Sequence, residues 1–309
     1  MRPAAFSDPG RFWRGNLHTH STLSDGALGM GEVCRAYRER GYDFIALTDH
    51  FVGMFGYPIA DTRAHRGDGF TTLIGAELHS GAQENGNLWH ILAIGLPDDF
   101  APSDSPGFLP HEGQESGGAI ARRAAEAGAF VAIAHPEWSG LSEADMREID
   151  AAHAVEIYNH GCAVESDRGR GHHAADLLAG NGRRLGFIAT DDAHFQHGPL
   201  DAFGGWTMVK AEENTPEALL RALKAGAMYA STGPDFFDVE IGGGEVSVRC
   251  SPSVAVILAG AGVATVVEHG AGLTDARLKI GRLESSPWLR VTLIDAAGRR
   301  AWTNPIWRD

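Results

Sequence analysis

Gly15-Asn16-Leu17-His18-Thr19-His20-Ser21-Thr22-Leu23-Ser24-Asp25-Gly26, followed after a helical stretch by Phe44-Ile45-Ala46-Leu47-Thr48-Asp49-His50, is the part of the sequence that decides the fold. Side chains of an extended backbone alternate with period two, so His18 and His20 point the same way. The second stretch is an apolar run that stops abruptly at Asp49 and His50. Residues of metal-ligating type at the ends of buried strands point to a metal site rather than to a stabilising feature.

Outward from this pair, the first two-thirds of the chain alternates strand and helix. Seven strands are predicted, at Leu17–His20, Asp43–Leu47, Thr72–Leu78, Trp89–Leu96, Phe130–Ala134, Val155–Tyr158 and Leu185–Ala189. Helices are predicted at Gly31–Arg40, closed by Gly41, at Glu115–Ala127, from Ser142 to Ala151 and around Ala174–Ala179. Near-continuous apolar strands separated by helices indicate a mainly parallel sheet covered on its outside. Seven units are compatible with a barrel; an open doubly wound sheet is the alternative, and spacing does not separate the two. Residues 51–69 and the proline-rich 97–114 read as long functional loops. Beyond residue 230 short alternating segments separated by Gly, Pro and Asp replace the helical pattern, the signature of a small antiparallel β-sandwich. The chain is thus divided into a hydrolase-like α/β domain, 1–230, and an all-β domain, 231–309.

Each strand of the first domain ends in a possible ligand. These are His18, His20 and Asp25, then His50, Glu77, His135, Asp192 and His194, with His90 at the start of the fourth apolar run. His90 joins the set only if its strand runs the other way. In parallel α/β architectures functional groups collect beyond the carboxyl ends of the strands. Imidazole and carboxylate without sulfur suit Zn, Mn or Fe(II). Nine candidates exceed the needs of one ion, so two or three divalent ions are expected. Clustered cations activate a bridging water and clamp attacking and leaving oxygens, chemistry suited to ester hydrolysis.

The net charge of −14 argues against broad binding of nucleic acid or anionic membrane. Three scattered cysteines, Cys34, Cys162 and Cys250, indicate neither a disulfide framework nor a thiolate site. No apolar segment has the length of a signal peptide core or a bilayer span, so a cytoplasmic setting is the default expectation. Arg168 and Arg170 are candidates to clamp a phosphate. Asn159 and His160, at the end of the sixth strand, join them as candidate substrate-binding residues.

His18-x-His20, Ser24-Asp25-Gly26, Thr48-Asp49-His50, Gly75-Ala76-Glu77, His135-Pro136 and Asp192-Ala193-His194 resemble, in order, the motifs of the PHP (polymerase and histidinol phosphatase) superfamily over residues 16–195. That resemblance implies a distorted seven-stranded β/α barrel, a site for two or three metals and phosphoesterase activity. It implies one ion on His18, His20, Glu77 and Asp192, another on Asp25, His50 and His194, and a third on Glu77, His90 and His135. Asp25 stands where some members carry histidine. Asp49, Glu77 and Asp192 are the candidate catalytic carboxylates, Asp49 by orienting a ligand. Tyr229–Pro234 and Ala301–Ile306 look like the C-terminal part of PHP proteins grouped with carbaryl hydrolase.

The expected function is therefore metal-dependent hydrolysis of a small ester, most naturally a phosphoester. A carboxyl- or carbamate-ester hydrolase with the same metals is the first alternative. A metal-bound binding module without catalysis is the second. An exonuclease acting on a nucleic-acid end or a nucleotide would need only a small pocket, not a basic surface.

Overall fold

A computed structural model describes residues 1–308. Its barrel-side strands are β1 (Arg11–Asn16), β2 (Phe44–Leu47), β3 (His50–Phe51), β4 (Thr71–Leu78), β5 (Ile91–Ile94), β6 (Phe130–Ile133), β7 (Ala154–Asn159) and β8 (Gly186–Thr190). The principal order is β1-β2-β4-β5-β6-β7-β8. All pairs in this run are parallel except those of β5, which is antiparallel to both β4 and β6. The reversal brings His90 to the same end as the other candidate ligands. All residues of β2, β4, β5, β6 and β8 are buried, as expected of strands covered on both faces.

The sequence places the helices through ordinary end signals. Ser116 Oγ accepts from Ala119 N to cap Gly117–Glu126. Ser142 and Asp145 form a reciprocal capping box at Glu143–Glu148. Thr215 caps Pro216–Lys224 with proline in its first turn.

Two expectations need correction. The first strand is Arg11–Asn16, not Leu17–His20; the latter segment leaves the ladder and touches the far side of the sheet only at the Thr19–Ala193 bridge. The barrel is also not closed by a full ladder. The outer edge of β1 is taken by an unexpected strand, β10 (Trp206–Ala211), antiparallel from Arg11↔Ala211 to Gly15↔Thr207, so β8 cannot pair there. Closure is local, through His20 N to Ala193 O at 2.9 Å and Asp192 N to His18 O at 2.8 Å.

The sheet continues outward from β10. A short β9 (Gln196–Pro199) precedes it, and β11 (Met228–Ser231) pairs with its other edge. Then follow the antiparallel strands β12 (Phe236–Gly242), β13 (Glu245–Gly260), β14 (Thr265–Lys279), β15 (Trp288–Ile294), β16 (Arg300–Thr303) and β17 (Ile306–Trp307). β16 pairs with β11, which makes the barrel strands and the C-terminal strands one hydrogen-bonded sheet. The expected boundary at residue 230 falls inside β11.

Arg290 on β15 fastens the two parts. It is almost fully buried, holds Asp176 on the helix His172–Gly180 through three hydrogen bonds of 2.8–3.1 Å, and donates to Thr292 at 2.7 Å. Arg290→Ala is expected to cost about 2 kcal/mol. The measurement is the urea midpoint, and a shift no larger than that of an exposed arginine control would count against the fastening role.

Candidate metal centre

The ligand-type residues converge at the carboxyl end of the barrel strands. Glu77, at the end of β4 and fully buried, is the hub. Its Oε1 lies 2.8 Å from His90 Nδ1, 3.2 Å from His135 Nε2 and 3.6 Å from His18 Nε2. Its Oε2 lies 2.6 Å from His50 Nδ1, 3.6 Å from His20 Nε2 and 3.7 Å from His79 Nε2. Asp192 is a second, smaller hub, with Oδ1 at 3.0 Å from His20 Nε2 and 3.2 Å from His18 Nε2. Asp25 closes the outer side, 3.4 Å from His194 Nε2 and 3.5 Å from His50 Nε2. Ligand atoms fall into four overlapping groups: His20, Asp25, His50 and His194; His50, Glu77, His79 and His90; His18, Glu77 and His135; and His18, His20 and Asp192. All nine expected ligands are in these groups.

Whether these residues suit cations is decided by their unpaired atoms. His18 Nε2, Glu77 Oε2 and Asp25 Oδ1 are buried without a hydrogen-bond partner among the described residues. Such groups are costly unless something else satisfies them. Divalent cations would do so, and the donor set has the right chemistry for them.

The electrostatics agree. Burial alone would raise the Glu77 and Asp192 carboxyls, but the imidazoles around them hold both well below the ordinary range. Burial, with His194 and His50 alongside, pushes His20 down to about 3. Burial likewise pushes His90 down to about 3, against the pull of Glu77. Burial thus keeps His20 and His90 neutral and ready to ligate, whereas at His18, His50 and His194 the neighbouring carboxylates outweigh burial and raise the imidazoles, His50 to about 10 and His194 to about 9, so a cation there would displace a proton.

A supporting layer fixes the ligands. Glu156, on β7, accepts from Thr190 Oγ1, Asn159 Nδ2 and His135 N, the last at 2.6 Å, and meets His18 Nδ1 at 2.9 Å. This leaves His18 Nε2 facing inward. Two ligands sit at positive φ, His135 at 22° and Asp192 at 55°, a conformation non-glycine residues seldom adopt. Asp192 is held there by Asn159 Nδ2 at 3.1 Å and by its neighbour Asp191, whose carboxylate accepts from Tyr37 Oη and the amides of Phe203, Gly204 and Gly205.

Asp49 is not among the inward-facing groups. Its carboxylate accepts from Ser21 N, Ser21 Oγ and Ser24 Oγ at 2.7–2.9 Å, which fixes the turn carrying Asp25. It is a positioning residue for that turn. Asp49→Ala should weaken metal retention about ten- to a hundredfold, read as ion content after dialysis against a weak chelator. Asp49→Asn, which keeps acceptor capacity for the serines, should recover most of the loss. Equal loss in both variants would point to the negative charge rather than the turn.

The candidate substrate residues divide. Arg168 lines the cavity above the metal cluster, a space of about 750 Å³ walled in part by Phe108 and Trp138. Asn159 stands behind Asp192 and caps the helix His160–Ser166 through Cys162 N. His160 and Arg170 line a different cavity. Three contributors were missed. His79 could have been found from Glu77-x-His79, the same period-two rule that drew attention to His18 and His20. Its Nδ1 lies 3.0 Å from Trp89 O, which leaves Nε2 for the cluster. Phe108 and Trp138 pack their rings on His50 and His135 at 5.0 and 4.9 Å, and nothing local in the sequence marks them.

A buried, multidentate histidine–carboxylate cluster at the strand ends of a barrel-like sheet is a candidate centre for divalent metals. Residues 16–137 match the family model of the PHP domain. Asp192 and His194 lie beyond the matched stretch and are brought back to it by the closure at Ala193. Over 37 residues, 12% of this chain, the sequence is 49% identical to the DNA polymerase/3'-5' exonuclease PolX of Bacillus subtilis (strain 168); the match spans 6% of that protein's length. A solved two-domain protein from Bacteroides vulgatus, containing a predicted PHP-like metal-dependent phosphoesterase, has the same fold at 14% identity. Its TM-score is 0.52 with 99% of both chains covered.

Proposed function

We propose that this protein is a metal-dependent phosphoesterase acting on a small phosphorylated molecule, with two or three Zn, Mn or Fe ions in the cluster. The observation that carries this reading is the sharing of Glu77 between adjacent ligand groups, which sets cation positions side by side as in-line displacement at phosphorus requires. Glu77 would hold more than one ion, with His18, His20 and Asp192 on one side, His79, His90 and His135 on another, and Asp25, His50 and His194 outermost. Bound ions would supply Lewis acidity and an activated water.

The chain's own residues do the rest. Glu156 keeps the His18 ring in its ligating orientation. Arg168 offers the cavity a guanidinium for a phosphate oxygen. Phe108 and Trp138 form an apolar wall that suits an organic leaving group and limits water.

Metal-loaded protein should hydrolyse p-nitrophenyl phosphate, and His18→Ala should abolish that rate. A parallel assay on an aryl carbamate discriminates the runner-up, which the similarity of Tyr229–Pro234 and Ala301–Ile306 to the carbaryl hydrolase group favours. Turnover of the carbamate alone would replace the phosphoesterase reading. Metal binding without turnover of either, or of any ester in a broad screen, would leave a binding module.

A further inference from the structure

A second cavity, of about 820 Å³, lies against the same segment that borders the metal site, and no residue lines both. Tyr158 and His160 face the second cavity, Gly161 and Cys162 the first. The far wall comes from the C-terminal strands, through Trp302 and the turn before β16, so the cavity sits at the seam of the molecule.

Its charge is the reverse of the chain's. Arg14, Arg170, Arg299 and Arg300 line it and no carboxylate does, in a protein of net charge −14. Arg299 is neutralised by Asp295 at 2.7 Å. Arg14, Arg170 and Arg300 have no ion pair among the described residues. Arg14 is instead held in place by ring faces, 3.8 Å from the Trp206 centroid and 4.1 Å from that of Tyr42, with its buried Nε unpartnered. Arg300 donates from Nη1 to Gly298 O at 2.9 Å, which orients its fork. The indole Nε1 of Trp302 is also buried without an acceptor among the described residues. His172, in the same wall, is pushed down to about 4 by burial and then by Arg290, Arg300 and Arg170, a local sign of positive potential.

Guanidinium groups without an ion pair that line a half-open, partly aromatic cavity, Arg170 and Arg300 exposed and Arg14 half-buried, are matched by phosphate oxygens, which accept from an arginine fork in bidentate fashion. We propose that this seam cavity is a second binding site, for a small molecule carrying a phosphate group, with Arg14, Arg170 and Arg300 as its anion-binding residues. The site is separate from the metal centre and does not depend on the phosphoesterase reading. Free phosphate and an organic phosphate share the recognition chemistry, and Tyr158, Trp206 and Trp302 offer surface to a ring if the ligand has one.

The test is calorimetric titration of the metal-loaded protein with inorganic phosphate and with phenylphosphonate, which is not hydrolysed. A site is expected whose affinity falls at least tenfold in Arg170→Ala/Arg300→Ala, with metal content and near-ultraviolet circular dichroism unchanged. Arg300→Glu, a single substitution at an exposed position, should do the same and guards against a folding defect in the double variant. Tighter binding of phenylphosphonate than of phosphate would assign the site to an organic ligand; equal binding would assign it to the inorganic ion. Identical affinity and stoichiometry in wild-type and variants, or no binding beyond that of the metal centre, would overturn the proposal.

Discussion

Glu77→Gln should lower metal-dependent turnover by at least about a hundredfold and, in the same protein, lower metal content by more than one ion per chain. The coupling of the two losses follows from geometry. Both carboxylate oxygens are engaged, Oε1 with His90, His135 and His18, and Oε2 with His50, His20 and His79. Removing one oxygen's charge therefore weakens cation positions on both sides. Asp192→Asn, which touches a smaller set, should lose fewer ions for a comparable fall in rate. Elemental analysis beside initial rates checks both. A Glu77→Gln protein that keeps its full metal complement would show that Glu77 is not shared, and the multinuclear arrangement would have to be redrawn.

Removal of metal should also destabilise the fold substantially. Among the described residues the inner site places His18, His20, His79, His90 and His135 around two carboxylates, all but His90 at 3% exposure or less apart from Asp192, with ligand atoms left unpaired. An ion that binds only the folded state at a hundredfold its dissociation constant contributes about 2.7 kcal/mol. For a chain of this size that corresponds to a melting temperature roughly 4 °C lower per ion lost. Scanning calorimetry with chelator, then with metal restored, reads the shift. A chelated protein verified to be metal-free that melts with the loaded one would show the cluster to be stable alone.

The site was largely legible in the sequence because its rule is simple. Ligands follow buried strands, and a buried strand announces itself as an apolar run, as at Phe44–Leu47 before Asp49 and His50 or Phe130–Ala134 before His135. His90, placed ahead of its run, could join the set only if its strand ran the other way, and β5 does run antiparallel to both neighbours. Asp49 shows the limit of that rule. A carboxylate at a strand end can face the site or the neighbouring turn, and only the serines around it decide.

The edges of the fold were less legible. β10 was missed because Trp206–Ala211 carries a half-exposed alternation with no helix-strand unit around it, and its partner β1 lies almost 200 positions earlier in the chain. For the same reason sequence spacing could not say that β1 was already paired on its outer edge, which is what leaves the barrel unclosed. His160 and Arg170 follow β7, and their place in the sequence does not say which cavity they line. Tyr158 and His160 face one cavity and Gly161 and Cys162 the other, and the far wall of the former comes from strands more than a hundred residues downstream.

The local closure at Ala193 also sets a timetable for the molecule. The Thr19–Ala193 bridge and the β1–β10 ladder join the first strand to residues made much later. At about 5–20 residues per second the ribosome needs roughly 10–30 s to travel from one side of that bridge to the other. During that interval His18 and His20 exist without Asp192, His194 or a neighbour for the edge of β1. Pairings so distant in the chain are the slow ones in folding. The two ligand groups that include Asp192 or His194 are thus complete only after this stretch has been made, whereas the two built on Glu77 draw on residues 18–135 alone, so the halves of the candidate centre become available at different times.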